Sequence, residues 1–174
     1  MNMKLIRPDM SHKDSVMSYK KEMLDNHDSF DGCAGLEDCD TYEMWLDFDN
    51  RLKAKYGDGY VKSDTYIAID ENNEVVGIID YRKELSPFLL KYGGNIGYSI
   101  RPSKRRCGYA KEMLKELLSI LKHNNIPKVL LTCDKENEAS RKTIIANGGI
   151  LENEIIDDIG LSVSGIIQRY WITL

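Results

Sequence analysis

The alternation of apolar and polar positions divides the chain into stretches of two periods. From Thr65 the period is two: TYIAID, a turn at ENNE and then VVGIIDY read as a β-hairpin. NIGYSIR repeats it, with Ile96, Tyr98 and Ile100 on one face and Gly97 and Ser99 on the other, until Pro102 ends the strand. The period then lengthens. Ala110, Met113, Leu114, Leu117, Leu118 and Leu121 recur at i, i+3, i+4, i+7, i+8 and i+11, the stripe of a core-facing helix that stops near Asn124 and Pro127. KVLLTCD follows as a short buried strand, so the unit predicts two parallel strands joined by a right-handed crossover.

The flanking segments complete the pattern. KLIR (4–7) predicts a short first strand, and Ser11 to Asp14 (SHKD) resembles a capping box that opens a helix through about Leu24. The turn-rich DSFDGCAGLEDCD leads to a second helix from Thr41, with Tyr42, Trp45, Leu46 and Leu52 on one face. Beyond the buried strand, a helix from about Glu138 to Asn147 is closed by Gly148 and Gly149, and ILENEII and IIQRYWIT supply two last strands. The expectation is a mixed α/β fold with a partly antiparallel sheet, formed by one domain over residues 1–174.

Charge narrows the function. Against 24 Lys and Arg stand 28 Asp and Glu, a net charge of −4 that argues against a nucleic-acid binder. Four cysteines form no C-x-x-C pair and there are three His, so no zinc spacing can be assembled and no metal is expected. The start is too polar for a signal peptide, and no apolar run approaches the ~20 residues that span a bilayer, so a reduced, cytoplasmic protein without a membrane partner is expected.

One cluster runs against the acidic balance. Arg101, Lys104, Arg105 and Arg106 precede the clearest helix, at the end where its dipole is already positive. Unpaired N–H groups at such an end make an anion site, Gly108 lets the backbone approach a ligand, and Ala110 keeps the first turn small. Four cations suit a pyrophosphate better than one carboxylate. Neither G-x-x-x-x-G-K-[ST] nor G-x-G-x-x-G is present, so a P-loop or dinucleotide fold is not supported.

Ile100-Arg101-Pro102 followed by Arg105-Arg106-Cys107-Gly108-Tyr109-Ala110 resembles the R/Q-x-x-G-x-G/A signature of the GNAT superfamily of N-acetyltransferases, and the order of elements matches that family over nearly the whole chain. Asn137 to Ser140 (NEAS), 32 positions after Arg105, resembles the family's N-x-x-A/S at the next helix. The resemblance implies a mostly antiparallel sheet with one splayed parallel strand pair. It implies acetyl-CoA as cosubstrate, its pyrophosphate on the amides of Arg105, Arg106, Cys107, Gly108, Tyr109 and Ala110. Its pantetheine would lie against the backbone of Ser99, Ile100 and Arg101 and beside Asn137 and Ser140. The reaction implied is direct attack of a primary amine, of a small molecule or a peptide, on the thioester, and a homodimer is a further expectation.

Two family positions are not matched. Gly93-Gly94-Asn95-Ile96 carries no carboxylate where many members have a Glu, and Ile144 stands where many have a Tyr, so the acid and base stay unassigned. Asp80, Tyr81, Glu84 and Tyr98 are the nearby candidates. Cys107, among arginines, is a candidate low-pKa thiol, and Cys133 reads as core. Residues 22–50 hold Glu22, Asp25, Asp28, Asp31, Glu37, Asp38, Asp40, Glu43, Asp47 and Asp49 and no Lys or Arg, which suggests either a solvated surface or a wall that attracts a cationic acceptor. A catalytically weak acyl-CoA-binding module and a nucleotide- or phosphopeptide-binding protein are the alternatives.

Overall fold

The computed structural model describes residues 2–54 and 61–174, apart from the side chains of 52–54, which include the Leu52 assigned above to a helix face. Its elements run β1 (Met3–Ile6), α1 (Lys13–Asp25), α2 (Tyr42–Ala54), β2 (Ser63–Asp70), β3 (Val75–Arg82), β4 (Ile96–Ile100), α3 (Tyr109–His123), β5 (Lys128–Asp134), α4 (Glu138–Ala146), β6 (Ile150–Ile156) and β7 (Ile166–Thr173). The strands form two antiparallel sheets, ordered β1-β2-β3-β4 and β5-β7-β6. Strands β4 and β5, expected as neighbours, share no ladder.

Periodicity explains the layering. The α3 stripe of Met113, Leu114, Leu117, Leu118 and Leu121 is buried with Ile144 of α4 against Ile79, Ile96, Ile100, Val129, Leu131 and Tyr170. On the opposite face of the first sheet, Val16, Tyr19 and Met23 of α1 and Tyr42 and Trp45 of α2 bury Ile67, Ile69 and Ile78. Alternate residues of β2 and β3 therefore face different helical layers, which is why both strands read as nearly continuous apolar runs.

The first helix starts differently from the expectation. Asp9, not Ser11, is the cap: its carboxylate accepts the Ser11 N–H at 2.8 Å, while its own N–H donates to His12 Nδ1 at 3.1 Å. The box lies two residues upstream because a 3-10 turn over Met10–His12 precedes the α-helix, with His12 in the place usually taken by Glu. Between β3 and β4 the chain forms a π-helical turn over Leu89–Gly93. No helix among the described residues is long and apolar enough to cross a membrane.

Candidate active site

The two sheets are joined at one residue. Asn95 is buried; its N–H donates to the Leu130 carbonyl at 2.6 Å and its Oδ1 accepts the Leu130 N–H at 2.8 Å. Toward β3, its carbonyl accepts the Arg82 N–H at 2.7 Å and its Nδ2 donates to the Arg82 carbonyl at 3.0 Å. Gly94, at φ +68°, lies so close that a Cβ there would stand 2.6 Å from the Leu130 oxygen. From this join β4 and β5 diverge and leave a slot. Because Arg101 N–H bonds Val76 and Asn95 bonds Arg82, the odd positions of β4 face β3, and the N–H and C=O groups of Ile96, Tyr98 and Ile100 point into the slot.

The basic loop stands at the open end. Arg106 at φ +60° and Gly108 at φ +84° give it two left-handed positions, and no side chain caps α3 behind it. The first helical bond runs from the Glu112 N–H to the Gly108 carbonyl, so the amides of Cys107 to Ala110 face outward at the positive end of the dipole. That is an anion cradle.

The four cations divide sharply in role. Arg101 is 2% exposed: its Nε lies 2.9 Å from Glu22 Oε2, near enough for ionic attraction but not aligned as a hydrogen bond, Nη2 donates to Ser18 Oγ at 2.6 Å, and Nη1 bonds Glu74. Lys104 pairs with Asp70 at 3.1 Å and Glu74 at 2.6 Å, and these carboxylates hold its pKa above the usual lysine range. The other oxygen of Glu22 accepts the Ser103 N–H at 2.7 Å. Two cations are thus structural ties between α1, the β2–β3 turn and the end of β4. Arg105 donates from Nε to the Ile100 carbonyl at 3.1 Å and pairs with Asp28 at 2.9 Å. Arg106 is exposed, with no ion pair among the described residues.

On the helix side of the slot, Asn137 caps α4 by accepting the Ser140 N–H at 3.0 Å, and Ser140 Oγ lies 3.0 Å from the Tyr98 hydroxyl. Burial pushes Tyr98 up to about 12, so it holds its proton at neutral pH. On the opposite face, the loop after α1 lies directly on β4. Ser99 Oγ donates to the Asp31 carbonyl at 2.5 Å, and a Cβ on Gly32 (φ +72°) would fall onto the Gly97 carbonyl.

The remaining candidates separate by burial. Asp80 is 5% exposed and pushed up to about 6 by burial, beside Arg82 Nε at 3.3 Å and Thr65 Oγ1 at 3.5 Å. Tyr81 belongs to the α3-side core and Glu84 is exposed. Cys107 is exposed, while burial raises the Cys133 thiol to about 11 and Cys33 to about 12. No cluster of metal-ligating side chains occurs among the described residues. The roles of Asn95, Glu22 and Asp28 escaped the sequence reading. The run Gly93-Gly94-Asn95 was the one visible sign of a tight approach.

The acidic run also resolves into parts. Glu22, Asp25, Asp28, Glu43 and Asp47 pair with Arg101, Lys21, Arg105, Lys13 and Arg51, and Asp49 is buried. Asp31, Glu37, Asp38 and Asp40 are exposed, and partial desolvation together with Asp38 and Asp31 raises the Glu37 pKa.

Comparison with known proteins agrees with this geometry. No curated protein sequence matches the chain. Among solved structures, RimL, a ribosomal L7/L12 α-N-protein acetyltransferase in complex with coenzyme A, aligns at TM-score 0.74 and 17% identity over 100% of this chain and 95% of its own. A ribosomal-protein-S5-alanine acetyltransferase from Vibrio fischeri aligns at 0.71 and 14% over 99% and 93%. A mutant of the spermidine N-acetyltransferase SpeG from Vibrio cholerae aligns at 0.69 and 12% over 99% and 94%. The family described as Acetyltransferase (GNAT) domain matches residues 37–149. With a splayed strand pair, an uncapped helix behind a basic loop and that match, the chain belongs to the GNAT acetyltransferases and uses acetyl-CoA to acetylate an amine.

Proposed function

We propose that residues 1–174 act as one N-acetyltransferase domain whose acceptor is a cationic primary amine, in the cytoplasm. The observation that carries the site is the uncapped N-terminus of α3, left-handed at Arg106 and Gly108, at the open end of the β4–β5 slot. Arg105, Arg106, Cys107, Gly108, Tyr109 and Ala110 would hold the diphosphate. The slot-facing groups of Tyr98 and Ile100, rather than those of Ser99 and Arg101, would pair with the pantetheine amides as a strand edge pairs with a peptide. Ser140 and Asn137 would line the other side.

Acetyl-CoA supplies a thioester for direct attack. The chain's part is to orient it, and a slot-facing main-chain N–H on β4 would stabilise the developing oxyanion. As the C–N bond forms and the C–S bond breaks, the proton shed by the amine ends on the departing thiolate, to which the Tyr98 hydroxyl, beside Ser140 between β4 and α4, would donate a hydrogen bond. Asp31, Glu37, Asp38 and Asp40 support the cationic acceptor by raising its local concentration. Four free cysteines fit a reducing compartment, and the largely exposed Ile150 and Ile156 on outer strand β6 support a homodimer.

The test is a calorimetric titration with acetyl-CoA and 3′-dephospho-CoA, followed by thiol release across an amine panel at low and high salt. Micromolar binding weakened by Arg106→Ala, with cationic amines favoured at low salt, is the expected result. Binding without amine-dependent thiol release would leave an acyl-CoA-binding module, and a preference for ATP would move the site to nucleotide binding.

A further inference from the structure

On the far side of Asn95 from the slot, the two sheets part again. Tyr81 pairs with Ile96 on β4, so Lys83 and Leu85 lie beyond the Arg82–Asn95 bonds, while Ile126 to Lys128 precede Leu130 on β5. Trp171 of β7 stands opposite Leu130. These residues wall an open cleft of about 350 Å³, within the range of small-ligand sites. Asn95 lines it as well, but its main-chain groups and both ends of its side-chain amide are already bonded to Leu130 and Arg82. It therefore divides the cleft from the slot and offers no free donor to either.

Two donors in this cleft lack an acceptor among the described residues. Alternation along β7 sends Tyr170 and Ile172 into the core under α3 and leaves Trp171 half-buried on the opposite face. The Lys128 ammonium stands over the Trp171 ring, 4.4 Å from its centroid, and makes no ion pair with any described residue. Tyr81 is 6% exposed, yet its hydroxyl bonds to no described residue. Burial, with Asp64 nearby, raises the Tyr81 pKa, so the phenol remains a donor at neutral pH. The other cation, Lys83, is held at 3.0 Å by Asp64, which also pairs with Arg7 at 2.6 Å. No carboxylate is among the described residues that wall the cleft.

An almost fully buried phenol and an ammonium, both without acceptors, set among Trp171, Leu85, Ile126 and Pro127, define the chemistry of an occupant. We propose that this cleft is a second ligand site, separate from the acetyl-CoA slot, and that it takes a small aromatic monocarboxylate. The ring lies against Trp171 and the aliphatic wall, and the carboxylate accepts from Lys128 Nζ and the Tyr81 hydroxyl. A diphosphate would bring more charge than one free ammonium balances. An amine would meet Lys128 as a like charge. Because the walls come from both sheets, the occupant ties them together at the base of the molecule, beside the Asn95 join.

The test follows the two indole N–H resonances of the isotope-labelled chain during titration with phenylacetate, phenylacetamide and phenethylamine, with and without excess coenzyme A. Trp45 is fully buried and donates to the Cys33 carbonyl at 2.8 Å, so its signal is the internal control; Trp171→Phe assigns the other. Phenylacetate is expected to shift the Trp171 signal saturably with a Kd below about 1 mM, unaffected by coenzyme A, and the amide and amine to bind roughly tenfold more weakly. Lys128→Gln and Tyr81→Phe should each weaken the acid by about threefold to tenfold, while Lys115→Gln on exposed α3 surface leaves it unchanged. Equal affinity for acid and amide, displacement by coenzyme A, no shift of the Trp171 signal, or unchanged affinity in Lys128→Gln overturns the site. Lys128 is exposed, so that variant decides the matter even if Tyr81→Phe fails to fold.

Discussion

Arg105 and Asp28 are held 2.9 Å apart, and the pair joins the loop in front of α3 to the loop behind α1. A diphosphate arriving at the α3 N-terminus would share that guanidinium with a carboxylate. Asp28→Asn is therefore expected to tighten acetyl-CoA binding by about twofold to fivefold at low ionic strength, the range of a half-exposed ion pair, with the gain fading in high salt. Calorimetry at two salt concentrations checks it, and weaker binding would show that Asp28 positions Arg105 instead.

Arg101 and Arg106 should respond in opposite ways. Arg101→Met leaves Glu22 and Glu74 without their buried partner. Both acids keep some solvent, so the loss belongs at the low end for such pairs, about 3 kcal/mol. That corresponds to a Tm fall of roughly 6–12 °C for a chain of this size. Arg106→Gly removes a side chain from a left-handed position and should raise stability by up to about 1 kcal/mol while weakening acetyl-CoA binding. Thermal unfolding and calorimetry on the same samples separate the two effects.

These contrasts show what was legible in the sequence. The α3 stripe and the β2–β3 hairpin could be read directly because their periods report contacts made by each element as a whole. The fate of the four cations could not, since Glu22, Asp28, Asp70 and Glu74 reach them from distant segments and each looked like an ordinary surface acid. Asn95 stood out in the sequence only as a missing carboxylate; its role depends on Leu130, a strand and a helix away. The shift of the helix cap to Asp9 came from a 3-10 turn over Met10–His12 that the local sequence did not disclose.

Asn95→Ala strips partners from the Leu130 N–H and the Arg82 carbonyl together. Each orphaned buried group costs about 1–3 kcal/mol. With the Arg82 carbonyl only partly buried, the total is about 2–3 kcal/mol and the expected Tm loss is roughly 4–12 °C, with faster amide exchange at Leu130 and nearby residues of β5. Protection equal to wild type there would show that the sheets are joined by other means.

Asp80 gives stability an unusual pH slope. Its folded pKa, about 6, lies above the ordinary 3.8, so between these values the folded protein holds a proton that the unfolded chain releases. This group's contribution therefore improves as pH falls through 6 toward 4 and worsens as pH rises through 6. Asp70 and Asp134, whose pKa values are lowered by the N–H and ammonium donors around them, act oppositely: their stabilisation is present above 3.8 and lost below it. Asp80→Asn is expected to flatten the stability profile between pH 4 and pH 6, measured by urea unfolding; an unchanged slope would place the titration elsewhere.

Beyond the join at Asn95 the inner edges of β4 and β5 share no ladder, and they lie inside the molecule rather than at its rim. An arm carrying amide groups along its length would supply the rungs that this interior gap lacks. To the polypeptide, the cosubstrate is then a removable strand. Cosubstrate concentration would set how continuous the sheet is, adding about 2.7 kcal/mol of stability at a hundredfold excess over Kd. Resistance to heat and proteolysis in a cell would follow the supply of acetyl-CoA.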